Sequence, residues 1–183
     1  GLVIMAGVVV AYTMFGGFLA VSLTDFVQGC IMFVALIVVP IVTWQELGNL
    51  GAAVQTLTDL NPDYLSWFSG VTALGLISSL SWGLGYFGQP HIIVRFMAIR
   101  SMADMKTARR IGMTWMVTAL IGAVLTGLLG FLYVRQTGSV LDDPETVFIL
   151  LSQVLFNPYI SGFLLAAILA AIMSTISSQL LVS

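Results

Sequence analysis

Long apolar runs separated by polar intervals set the plan of the chain. Near-unbroken hydrophobic stretches predict helices over 2–22, 26–44, 70–89, 111–134 and 159–181, each close to the roughly 20 residues that cross a bilayer as an α-helix. The intervals differ in kind. SLTD at 22–25 reads as a tight turn, while QELGNLGAAVQTLTDLNPDY and RQTGSVLDDPETVF carry acids, Gly and Pro and read as surface loops with a short helix each. RFMAIRSMADMKTARR is basic and forms a loop over 91–110.

The third helix does not end as it begins. In SWGLGYFGQPHIIVRF, residues 81–96, Gly83, Gly85, Gly88 and Pro90 interrupt an apolar run. Irregular backbone at membrane depth is tolerated where it is buried in protein or lines a cavity, because an unsatisfied polar group in hydrocarbon costs several kcal/mol. Discontinuous helices of this sort line the substrate sites of secondary transporters; the alternative is that Pro90 simply marks the cytoplasmic end of the helix. Trp82, Tyr86 and Pro90, at i, i+4 and i+8, make a partly apolar wall suited to a small organic solute, or an aromatic packing surface between helices.

A second polar concentration is LAAILAAIMSTISSQ, where Ala171, Ser174, Thr175 and Ser178 share one helical face at i, i+3, i+4 and i+7. Hydroxyl and carbonyl oxygens are hard donors that can replace the water of an alkali cation. The same small residues also let two helices approach closely.

Composition fixes the class. With 59% hydrophobic and 8% charged residues and a mean hydropathy of +1.07, the chain is an all-α integral membrane protein with about five crossings. It holds one cysteine and one histidine. Cys30 reads as a small packing residue and His91 as an interfacial one, and no catalytic set, phosphate loop or cofactor motif can be assembled, so the chain is not read as an enzyme. The first residues, GLVIMAGVVV, and the last, SSQLLVS, lie in apolar runs, as in an internal piece of a longer protein.

Charge adds orientation. Of the six Lys and Arg residues, Arg95, Arg100, Lys106, Arg109 and Arg110 lie between the third and fourth helices, which makes 91–110 cytoplasmic. The loops with Glu46, Asp59, Asp63, Asp142, Asp143 and Glu145 are then external, and SLTD internal. Trp44, Trp67, Tyr133 and Tyr159 suit the interfacial belt. The basic loop fits contact with anionic membrane lipid and gives no support for nucleic acid binding.

The run LSWGLGYFGQPHIIVRFMAIRS followed by ARRIGMTWM, with GGFLAVSLTDFVQG and AAIMSTISSQLLVS, resembles the sodium/solute symporter family, its proline-carrying members above all. The resemblance implies a fragment of a five-plus-five inverted-repeat core holding the fourth to eighth core helices, with the first core helix outside the chain. It implies sodium ligands at Ala171, Ser174 and Thr175, through a carbonyl and two hydroxyls, and a proline site at Trp82, Tyr86 and Pro90. The implied function is sodium-coupled proline symport across the cytoplasmic membrane by alternating access, with sodium as co-transported ligand and no further cofactor. Sodium symport of another small carboxylate such as pantothenate, or a symporter-like membrane domain feeding a sensor, are the alternatives.

Overall fold

The computed structural model describes residues 2–66, 69–141 and 143–182, so Trp67 and Asp142, assigned above to a membrane edge and an external loop, lie outside the described residues. The described chain is all-α. Its helices are α1 (Leu2–Leu47), α2 (Leu50–Leu60), α3 (Ala73–Gly85), α4 (Pro90–Met97), α5 (Met102–Thr137), α6 (Val147–Leu155) and α7 (Pro158–Leu180). Among the described residues, α1, α5 and α7 are long and apolar enough to cross a membrane.

α1 contains two limbs, 2–16 and 18–47, and the bend between them corrects the expected turn at 22–25. It falls at Gly17, whose φ of 57° and ψ of −154° break the helix at a backbone conformation that only glycine adopts without steric cost. SLTD stays helical because its polar groups find partners within the fold. The Thr24 hydroxyl donates to the carbonyls of Ala20 at 3.0 Å and Val21 at 2.9 Å, and Asp25 pairs with Arg95.

Farther along α1, Pro40 has no N–H to offer the carbonyl of Leu36 four residues back. That oxygen lies against Gly122 of α5, where an added Cβ would stand 2.3 Å from it. A proline on one helix thus frees a carbonyl, and a glycine on its neighbour leaves room for it. Such close backbone approach is how membrane helices gain dispersion contact when water supplies no driving force between them. One turn on, Thr126 donates to the Gly122 carbonyl at 2.7 Å and Thr43 to that of Val39 at 2.8 Å, which satisfies both buried hydroxyls inside their own helices.

The core forms where α1, α6 and α7 meet, with Ala35, Val39, Leu151, Leu164 and Ala167 at its centre. A smaller cluster of Leu57, Leu129 and Leu132 seats α2 on α5. Of the two short helices expected in the acidic loops, α2 begins at Asn49, whose side chain accepts from the amides of Gly51 and Ala52. The other, α6, is a partly buried element whose Leu151 is sealed in the core.

Two further boundaries differ from the sequence reading. Residues 91–110 are mainly helical, covering α4 and the first turns of α5. α5 starts at Met102 because Ser101 caps it: the Ser101 hydroxyl accepts from the Asp104 amide at 3.3 Å and donates to the Asp104 carboxylate at 2.8 Å. Cys30, expected to pack, is exposed on α1.

Candidate functional site

The third apolar run is discontinuous. α3 starts at a Thr72 cap, whose hydroxyl accepts from the Gly75 amide at 3.1 Å, and ends at Gly85. A single 3₁₀ turn, Tyr86–Gly88, follows, then an extended Gln89 (φ −80°, ψ 121°), and α4 begins with Pro90 in its first turn. The proline is the cause. It disfavours the α region for the residue before it and removes the amide that would continue the ladder. Gly83 and Gly85 stay inside α3, and Gly85 is right-handed helical, so the unwinding is confined to 86–89 rather than spread over the glycines.

Trp82 and Tyr86 are brought together, with ring centroids 5.0 Å apart at 72°, an edge-to-face pair. Pro90 stands four residues on, past the 3₁₀ turn. Every residue of α3 is exposed, Trp82 to 72%.

On α7 the hydroxyl of Thr175 donates to the Ala171 carbonyl at 3.0 Å. This is the i to i−4 back-bond of a helical hydroxyl, made also by Thr118 and Thr126; both oxygens are neutral hard donors of the kind an alkali cation takes. Ala171 and Ser174 are half-buried and Thr175 is exposed. The Ser174 carbonyl accepts from Ser177 at 3.1 Å.

One turn farther along α7 lies a polar cluster that the sequence did not reveal. Asp25 of α1 forms an ion pair with Arg95 of α4. Ser178 donates to the Asp25 carboxylate at 3.2 Å and accepts from the Arg95 guanidinium at 2.5 Å, while Ser177 reaches the other carboxylate oxygen at 3.4 Å. The Asp25 side chain is 8% exposed and that of Arg95 49%. The pair forms a wall of a 390 Å³ recess that Ser22 and Phe18 also line.

The sequence pointed separately to Arg95 in a loop, Asp25 in a turn and Ser178 on a stripe. What it lacked was their meeting across 70 and 83 residues of chain. The cluster bonds α4 to α1 and α7 through the Arg95 side chain, while α3 and α4 pack mainly against the 3₁₀ turn between them. α4, which resumes the interrupted helix at Pro90, is bonded through Arg95 to the helix that carries Ala171, Ser174 and Thr175.

The arrangement offers aromatic and backbone surface at an interrupted helix, neutral oxygens on a second helix, and a charged clasp between them. Among the described residues no three His, Cys, Asp or Glu side chains converge as a metal centre. The family model described as the sodium:solute symporter family matches residues 1–183. Over its full length the chain is 63% identical to the high-affinity proline transporter PutP of Bacillus subtilis (strain 168), covering 39% of that protein. It is 57% identical to the osmoregulated proline transporter OpuE of the same strain, covering 37%, and 55% identical to a sodium/proline symporter of Staphylococcus aureus, covering 36%. The chain therefore spans under two fifths of these relatives' lengths. No solved structure matches it.

Proposed function

Because the chain belongs to the sodium:solute symporter family, we propose that it is part of a transporter that couples sodium entry to proline uptake across the cytoplasmic membrane, with residues 91–110 on the cytoplasmic side. The observation that carries the proposal is the interruption at 86–89, held by Arg95 against the α7 helix that bears the hydroxyl face. The printed names of the relatives, proline transporters and sodium/proline symporters, support proline as solute and sodium as driving ion.

In this reading Trp82 and Tyr86 pack against the apolar face of the proline ring, and Pro90 keeps the helix open so that backbone dipoles face the solute. The Ala171 carbonyl and the hydroxyls of Ser174 and Thr175 supply half of a sodium shell, without a carboxylate whose charge would hold the ion too tightly to release. The remaining ligands and the opposite wall of the solute site come from the first core helix of the symporter fold, outside this chain.

Coupling follows from the bond between α4 and α7. Sodium on α7 favours one position of that helix, and the Arg95 clasp passes the bias to α4 and the interrupted segment. A coupling of about 1–3 kcal/mol would make the two affinities interdependent, and each sodium charge moving inward gains roughly 2.3 kcal/mol per 100 mV.

The test is proline flux into proteoliposomes carrying the full-length transporter. An inward sodium gradient is expected to accumulate proline, and exchange of sodium for choline to abolish accumulation. Equal accumulation in choline would refute sodium coupling.

A further inference from the structure

Lys106, Arg109 and Arg110 lie at i, i+3 and i+4 in the first turns of α5. At 100° per residue they fall within an arc of roughly 100°, with Asp104 on the opposite side of the helix. All three are exposed. None forms an ion pair among the described residues, where Arg95–Asp25 is the salt bridge present, and Asp104 is engaged by Ser101. The same face continues upward as Met113, Val117 and Leu120, each exposed within this chain, which spans under two fifths of its relatives' lengths.

One helix face thus changes from three unpaired cations to an exposed apolar stripe within one turn. From Ile111 to Val134 α5 carries no charged side chain, which gives about 36 Å of uncharged helix, enough to traverse a hydrocarbon core of about 30 Å. The cations therefore stand at head-group level and the stripe at acyl-chain level.

We propose that this face of α5 binds an anionic phospholipid, its phosphate held by Lys106, Arg109 and Arg110 and one acyl chain laid along Met113, Val117 and Leu120. Charge and depth select the occupant: a soluble anion would satisfy the cations but leave the stripe unused, and a zwitterionic lipid would cover the stripe with less attraction at the head group. A cationic cluster facing an anionic leaflet gains about fivefold in affinity for each Lys or Arg near the surface.

The experiment is native mass spectrometry of the full-length transporter in detergent, titrated with phosphatidylglycerol or phosphatidylcholine of matched acyl chains. Its readout does not depend on transport, so it stands apart from the proline reading. Single substitutions K106Q, R109Q and R110Q are used because removing all three cations together could invert the topology.

The wild-type protein is expected to prefer phosphatidylglycerol about 100-fold, about fivefold for each of the three cations. Each single substitution should lower the preference about fivefold, and R135Q, at the other end of α5, should leave it intact. No preference in the wild-type protein, a preference that survives all three substitutions, an equal loss in R135Q, or displacement of the lipid by free glycerol phosphate would each overturn the proposal.

Discussion

Replacing Arg95 with Gln probes the clasp on which coupling depends. The substitution leaves the Asp25 carboxylate, 8% exposed, facing two serine hydroxyls and no cation. Removing one member of a fully buried ion pair costs about 3–5 kcal/mol. Arg95 is 49% exposed, so solvent screens its charge and the cost falls to about 1–2 kcal/mol.

The companion change Asp25→Asn removes the carboxylate and lets Arg95 turn toward water, at a smaller cost. In the double variant neither charge is stranded. Its loss should be less than the sum of the single losses, leaving an interaction energy of about 1 kcal/mol.

The assay is thermal unfolding of the full-length transporter in detergent for the wild-type protein and the three variants, paired with proline binding at low and high sodium. R95Q should be the least stable and should bind proline with a weakened dependence on sodium. Losses that add within about 0.3 kcal/mol would show that Asp25 and Arg95 act independently, and an unchanged sodium dependence in R95Q would separate the clasp from coupling.

Three other substitutions test separate parts of the account. Thr175→Ala removes one proposed sodium ligand worth about 1.5–3 kcal/mol, so the sodium concentration for half-maximal proline uptake should rise about 10- to 150-fold; an unchanged requirement would remove Thr175 from the shell. Trp82→Ala should weaken proline binding about 5- to 10-fold, from the lost aromatic contact, and leave the sodium requirement near normal; the reverse pattern, measured in the same uptake assay, would exchange the roles of the two subsites. Gly122→Ala places a methyl 2.3 Å from the Leu36 carbonyl and should cost about 1–3 kcal/mol of thermal stability; a fully stable variant would mean that α1 and α5 do not cross at this glycine.

What the sequence disclosed and what it hid divide along physical lines. α7 was readable to within a residue because an uninterrupted apolar run behind Asn157 and Pro158 has one helical solution, the Asn157 side chain accepting from the Ile160 amide at 3.0 Å. The interruption before Pro90 was readable because a missing amide is a local property. The bend in α1 was misplaced: Ser22, Thr24 and Asp25 look like turn formers in isolation, but Thr24 bonds back to Ala20 and Val21 within α1 and Asp25 finds its partners on α4 and α7, while Gly16 and Gly17 held the actual signal. The start of α5 was also announced locally, by Ser101 three residues before Asp104, a cap followed by an acid, but the basic charges drew the segment toward a loop reading. The Asp25–Arg95–Ser178 clasp had no local signal, since its members approach only when α1, α4 and α7 assemble.

The most direct measurement of the central claim is equilibrium proline binding to the full-length transporter, without sodium and at saturating sodium, for the wild-type protein and Thr175→Ala. Sodium is expected to tighten proline binding about 5- to 150-fold in the wild-type protein, with most of that gain lost in the variant while sodium-free binding stays the same. Proline affinity independent of sodium in the wild-type protein, or an undiminished gain in Thr175→Ala, would contradict the assignment of the ion to the hydroxyl face of α7.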